Sequence, residues 1–261
     1  MITLASDFGS PYPAAMKGVI LRRTDARLVD VSHDLPRGSV RESAFWLRET
    51  LPTFPPATHL AVVDPGVGTD RGVLVARAGE HTFVGPDNGL LVPAVRRIAA
   101  DADAEVTWFH ADPGAPESTT FHGRDVFAPL AAEMHDAVRE GTLTDHDRLT
   151  RIGSPVDCRL SDATVDAGEA VGEVLAVDDF GNVITNVPGA FLAGHDAVTI
   201  NGDRVPVAET FAVVAPGDPL VTVGSHGYVE CDVNDGRGDE RFGLAVGDRV
   251  RLRPVDTYRQ S

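Results

Sequence analysis

His59-Leu60-Ala61-Val62-Val63-Asp64-Pro65-Gly66-Val67-Gly68 is the stretch on which the fold turns. Its apolar run does not alternate with polar residues. It therefore reads as a strand buried on both faces, the kind found inside parallel sheets. The run stops at a carboxylate and a glycine turn. Residues 1–6 repeat the pattern, ending at Asp7-Phe8-Gly9. Between and beyond these two strands lie helical patterns over 14–23, with Met16, Val19 and Ile20 on one face, and over 40–49, with Ala44, Phe45 and Leu47. Further helices are read at 90–99 and 126–139, and strands at 27–31, 72–76, 81–84 and 105–109. The alternation predicts an α/β N-terminal domain over 1–150, a mostly parallel sheet with flanking helices.

The chain then changes character. Residues 141–164 hold little periodicity and read as a linker. Short β-type runs follow at 171–177, 183–185, 198–200, 220–223, 228–233 and 248–252, separated by Gly, Pro, Asp and Asn. A small β-barrel C-terminal domain over 165–261 is the expectation.

With 261 residues and 43% hydrophobic residues the chain can bury a substantial core, which excludes global disorder. No apolar run reaches the roughly 18 residues that would make a membrane span. The first residues lack the basic and apolar regions of a secretory signal, so a cytoplasmic protein is expected. Asp and Glu number 39 against 23 Lys and Arg, a formal charge of −16, which argues against nucleic-acid backbone binding. Lys17 is the single lysine. Abundant Asp with almost no Lys points to a halophilic, salt-loaded interior, with an acidic protein of a GC-rich genome as the alternative. Cys158 and Cys231 are isolated and form no zinc-type spacing.

In open parallel sheets ligands bind beyond the carboxyl ends of the strands. Asp7 and Asp64 stand there. Thr120-Phe121-His122-Gly123-Arg124-Asp125 precedes the last helix of the first half. Asp7, Asp64 and His122 are thus candidates to converge on one cleft. Arg71, seven residues after Asp64, can fold back across the glycine loop and hold Asp64 ionised. In the second half Asp178-Asp179-Phe180-Gly181-Asn182 offers donors and acceptors suited to a nucleobase edge, or a plain β-turn. Asp7, His33, Asp34, Asp64 and His122 are also chemically able to ligate a metal, but no tight ligand spacing supports it and no metal is assigned.

Six segments carry a family likeness: Ser6-Asp7-Phe8-Gly9, Met16-Lys17-Gly18-Val19-Ile20, Val63-Asp64-Pro65-Gly66-Val67-Gly68, Gly85-Pro86-Asp87-Asn88-Gly89, Phe121-His122-Gly123-Arg124-Asp125 and Phe180-Gly181-Asn182. In order and spacing the chain resembles the S-adenosyl-L-methionine (SAM) hydroxide adenosyltransferases, relatives of fluorinases and chlorinases. The resemblance implies hydrolysis of SAM to adenosine and L-methionine by attack of water or hydroxide at ribose C5′, with no cofactor. It implies a homotrimer with active sites between subunits. It puts the catalytic Asp, Arg and His on Asp64, Arg71 and His122. It puts a ribose-gripping carboxylate on Asp7, adenosine contacts on Asn182, Ser225, Glu230 and Val233, and ring packing on Phe180 and Phe211. Two features depart from the family. The segment after Asp7 is two residues short, and Ser10-Pro11-Tyr12 lacks the acidic residue usual before Pro-Tyr. Halogenase-type members carry Tyr where this chain has Asp64. A SAM-dependent halogenase, a non-catalytic adenosine or SAM sensor, and a metal phosphohydrolase are the competing readings.

Overall fold

The computed structural model describes residues 1–115 and 120–255. The chain divides into two compact units, Met1–Arg159 and Leu160–Ser261.

The first unit contains β1 (Ile2–Ser6), α1 (Tyr12–Leu21), β2 (Leu28–Ser32), α2 (Val40–Thr50), β3 (Thr58–Val62), β4 (Val73–Ala78), β5 (His81–Pro86), α3 (Val92–Asp101), β6 (Val106–Ala111), α4 (Ala128–Glu140) and β7 (Leu149–Ile152). The strands form one sheet in the order β2-β1-β3-β5-β4-β6-β7. Five of the seven run in one direction, and β4 and β7 oppose them. Every residue of β1 and β3 is buried, as expected of central strands covered on both faces. Alternation sends Ile2, Leu4, Leu60 and Val62 into a core with Met16, Ile20, Leu130 and Met134 from α1 and α4. It sends Ala5, Ala61 and Val63 to the other face, with Leu47, Val95 and Ile98 from α2 and α3. The result is a helix–sheet–helix sandwich.

Two local expectations change. Residues 141–164 are not a plain linker: Leu143–Asp145 is a 3-10 turn with Leu143 buried, and β7 pairs antiparallel with β6. The strand has four residues, of which Thr150 and Arg151 are exposed, so no hydrophobic alternation marks it. The helix read from 126 begins at Ala128, preceded by a π-helical turn over Gly123–Phe127.

The second unit contains β8 (Thr164–Asp166), β9 (Glu169–Val177), β10 (Val183–Pro188), β11 (Ala197–Ile200), β12 (Asp203–Pro206), β13 (Pro219–Val223), β14 (Tyr228–Val233), α5 (Gly238–Phe242) and β15 (Arg249–Pro254). They form an antiparallel sheet in the order β12-β11-β15-β9-β10-β14-β13, with β8 added on β9. A bridge between Val207 and Val221 brings the two ends of the sheet together, so it is a nearly closed barrel. Val174, Val183, Val198, Val221, Val229, Cys231, Val250 and Leu252 fill its core. Cys158 and Cys231 are both free thiols. Among the described residues, no helix is long and apolar enough to cross a membrane.

Candidate active site

The register of the parallel sheet builds the first part of the site. Ser6 lies opposite Val62 on the β1–β3 pair, so Asp7 and Asp64 emerge together just past the carboxyl ends of neighbouring strands. The turn after β2 meets them, and the Gly38 amide donates to Asp7 Oδ2 at 2.8 Å. His33, a metal-ligand candidate in the sequence, is engaged otherwise. It bonds Ser6 Oγ at 2.8 Å through Nδ1 and Asp30 at 3.0 Å through Nε2. Lys17 completes this chain with a 2.6 Å bond to Asp30.

Arg71 folds back over the glycine loop. Its Nε donates to Asp64 Oδ1 at 2.8 Å, and its Nη2 makes a second, short bond to Asp64 Oδ2. This is the paired geometry by which a guanidinium matches a carboxylate. The same Nη2 lies 3.2 Å from His122 Nδ1, so Asp64, Arg71 and His122 form one continuous chain of contacts. Arg71 also stacks over the Phe127 ring at 4.7 Å, which fixes the plane of the guanidinium. The Asp64 side chain is 1% exposed, so the charge is buried and matched. Beside these groups lies a cavity of about 540 Å³, lined by Asp7, Asp64 and His122.

Phe8, Tyr12, Arg37, Val67 and Phe121 also line that cavity. Phe8, Val67 and Phe121 sit beside Asp7, Asp64 and His122 in the sequence motifs, though the motifs assign them no role of their own. Tyr12 was visible as part of the shortened tract. Arg37 carries no motif, and only the β2 turn brings it in. Phe121 packs edge-on against both Phe8 and Tyr12, closing an aromatic wall.

The second unit gathers most of its candidates around one strand. Val229 and Cys231 of β14 face the core, so Glu230 and Asp232 face the other way. Glu230 lies opposite Ile184 on β10 and Thr222 on β13. Its carboxyl rests over Gly224, where an added Cβ would stand 1.8 Å from Oε1. Ser225 follows in the same turn. Asn182 is held before β10 by Asp178, which accepts from both its backbone and side-chain nitrogens at 2.9 and 3.0 Å. Val233 ends β14. Phe180 is 78% exposed, on the turn after Asp178, and Phe211 is 38% exposed on a separate 3-10 turn.

Burial, reinforced by Asp178, pushes the Glu230 carboxyl up to about 7. Burial, with Glu230 and Asp178 adding to it, pushes Asp232 up to about 8. Both Asp232 oxygens are buried without a hydrogen-bond partner among the described residues. Asp232 carried no signal in the sequence beyond its place in an apolar strand. Among the described residues, no group of three or more His, Cys, Asp or Glu is placed to hold a metal ion.

An α/β unit with an Asp–Arg–His chain at its strand ends, followed by a β-barrel unit, defines a class of small-molecule enzyme. The comparisons narrow it. Residues 2–143 match the model of the SAM hydroxide adenosyltransferase N-terminal domain, and residues 172–251 that of the C-terminal domain. This chain belongs to the SAM hydroxide adenosyltransferase family. It is 39% identical to the (R)-S-adenosyl-L-methionine hydrolase of Salinispora tropica, over 96% of this chain and 97% of that protein. It is 42% identical to the protein of the same name from Thermus thermophilus, over 95% and 97%. The fluorinase of Actinopolyspora mzabensis is more distant, at 26% over 97% of this chain and 96% of its own. A crystal structure of an uncharacterized conserved protein from Thermotoga maritima matches 97% of this chain and all of its own, with a TM-score of 0.82 and 30% identity.

Proposed function

We propose that this chain hydrolyses S-adenosyl-L-methionine to adenosine and L-methionine, with water attacking ribose C5′. Family membership, and relatives at about two-fifths identity named as (R)-SAM hydrolases, support the reaction. They also favour the R configuration at sulfur. The observation that carries the mechanism is the Asp64–Arg71–His122 chain beside the strand-end cavity.

The bookkeeping of the step is simple. The water oxygen forms a bond to C5′, and the C5′–S bond breaks with its electrons going to sulfur. The cationic sulfonium becomes neutral methionine thioether, and one water proton is released. Sulfonium leaves readily, so no acid is needed on that side. What the site supplies is a held nucleophile in line with the leaving group, where positioning lowers the barrier by several kcal/mol. Asp64 or His122 takes the proton. Asp7 grips the ribose diol through its carboxylate, which the Gly38 amide orients.

Chloride is the competing nucleophile in a salty interior. Because Arg71 pairs with Asp64, the buried charge is largely neutralised, and bare repulsion is a weak barrier. The carboxylate lone pairs not used by Arg71 discriminate better. Water can donate a hydrogen bond to them and chloride cannot.

The second unit supplies the adenosine side in this account, through Asn182, Ser225, Glu230 and Val233, with Phe180 and Phe211 as ring packers. A homotrimer in which these residues come from a neighbouring subunit is part of the proposal. Incubation with separated R and S stereoisomers of SAM, with chromatography of the products, tests the reading. Adenosine and methionine in equal amounts, faster from the R form, are expected. Tight adenosine binding without turnover would favour a sensor, and loss of activity on chelation would favour a metal enzyme. Mass measurement in solution tests the trimer.

A further inference from the structure

The motif Gly85-Pro86-Asp87-Asn88-Gly89 has no role in the chemistry above, yet it touches both ends of the loop that carries Asp64 and Arg71. It begins at the end of β5, the parallel neighbour of β3. Asn88 Nδ2 donates to the carbonyl of Val63 at 2.9 Å, one residue before Asp64. Asn88 Oδ1 accepts from the Leu90 amide at 3.1 Å, which locks the side chain in that pose. At the other end, the Asp87 amide donates to the Gly72 carbonyl at 2.9 Å, one residue after Arg71. That carbonyl also accepts from Arg71 Nη1 at 3.2 Å. The five-residue segment therefore fixes the peptide entering Asp64 and the peptide that steadies the Arg71 guanidinium.

The segment is itself anchored. Asp87 accepts from the Val156 amide at 2.8 Å through Oδ1, and Oδ2 lies 2.6 Å from His110 Nε2. Gly85 packs flat on β3, and an added Cβ there would stand 2.4 Å from the Ala61 carbonyl oxygen. The β5 end cannot shift without moving the β3 end from which Asp64 projects.

We infer that Asn88 is a positioning residue of the reaction: through the Val63 carbonyl it sets the aim of Asp64, and with the Asp87 amide it holds the Asp64–Arg71 pair in register with the cavity. This rests on the proposed SAM hydrolysis. Displacement of a catalytic group by about 1 Å costs on the order of 100-fold in rate, so a loss of kcat of that order is expected for Asn88→Ala, with KM changed less than about threefold. Asn88→Asp keeps the acceptor for Leu90 but removes the donor to Val63. It serves as the second variant if Asn88→Ala does not fold, and it is expected to lose kcat in the same way.

Two readouts separate positioning from plain support of the fold. The first is a double-mutant cycle with Asp64→Asn. If Asn88 acts through Asp64, its replacement in that background lowers the residual rate less than about threefold, a strong departure from additivity. The second does not use turnover. In ¹⁵N-arginine NMR the Arg71 Nε–H, held against Asp64, gives a resolved, slowly exchanging signal that Asn88→Asp shifts or broadens. A kcat loss that simply adds to that of Asp64→Asn, a loss residing in KM, or an unmoved Arg71 signal overturns the inference. Absence of SAM turnover in the unmodified enzyme overturns the activity instead, and leaves the NMR test of the clamp standing.

Discussion

Asp64 and Asp232 are both buried carboxyls, one in each unit, and the two units handle them in opposite ways. Asp64 is met by a guanidinium on both oxygens. Asp232 has no partner on either oxygen among the described residues, and Glu230 stands two residues away on the same face. Burial of an unmatched charge is costly, so a carboxyl so placed keeps its proton instead. Composition is part of the cause: no Lys or Arg occurs between Arg159 and Arg204. The lesson is that the acidity of this chain is not uniform in effect. In the first unit it makes a fixed, oriented charge beside a cavity. In the second it makes groups that titrate within the physiological range.

The sharpest way to break this contrast is to remove the matched carboxylate. Asp64→Asn is expected to lower kcat by about 10³-fold, the scale of a lost acid–base or electrostatic group. It also leaves Arg71 buried without its anion, which costs about 3–5 kcal/mol when a buried pair is broken. Product release kinetics and a thermal melt read the two effects separately. His122→Ala, which leaves the ion pair intact, is expected to lose about 10²-fold in kcat with a smaller change in melting.

The next effect is one of sign with pH. In the first unit burial pushes His59 from 6.5 down to about 3, with help from His81. Burial also pushes His81 and His135 down. Below pH 6.5 the unfolded chain binds protons that these folded imidazoles refuse, so the first unit loses stability as pH falls toward 3. In the second unit the raised carboxyls do the reverse. Above about pH 4 the unfolded chain releases protons that Glu230 and Asp232 keep, so the barrel loses stability as pH rises toward 8. Hydrogen exchange followed by mass spectrometry at pH 5 and 8 resolves the two units in one experiment. Asp232→Asn should raise protection of β13 and β14 at pH 8. Loss of protection in both units on the same side of neutrality would refute the contrast.

The smallest effect concerns salt. At about 1 M the Debye length is near 3 Å, which screens the self-repulsion of a −16 chain. Melting temperature should therefore rise with KCl, while the buried Asp64–Arg71 pair is little screened and kcat changes less. An unchanged melting temperature from low salt to 1 M would remove the halophilic reading.

The sheet and barrel were legible because burial leaves a mark. The strand at 59–63 is apolar from Leu60 to Val63 because both its faces are covered, and the β14 run alternates Val229, Cys231 and Val233 with Glu230 and Asp232 although that second face is buried too. The strands that escaped, β7, β8 and β12, are short, and their residues are largely exposed. Pairing rather than burial makes them strands. The Asp64–Arg71–His122 chain was anticipated from motif order, and its contacts came from folding. Asn88 on Val63 and Gly38 on Asp7 link segments 25 and 31 residues apart through backbone groups, which leave no residue-type signature. Asp232 went unseen because a carboxyl in a strand looks exposed until its neighbours are known.

Turnover of (R)-SAM in ¹⁸O-water containing concentrated KCl, with mass spectrometry of the nucleosides, tests whether water held at Asp64 is the nucleophile at C5′. Adenosine carrying ¹⁸O at the 5′ oxygen and unlabelled methionine are expected, with both products formed about 10³-fold more slowly by Asp64→Asn. 5′-Chloro-5′-deoxyadenosine, methylthioadenosine, or full activity in the Asp64→Asn variant would contradict it.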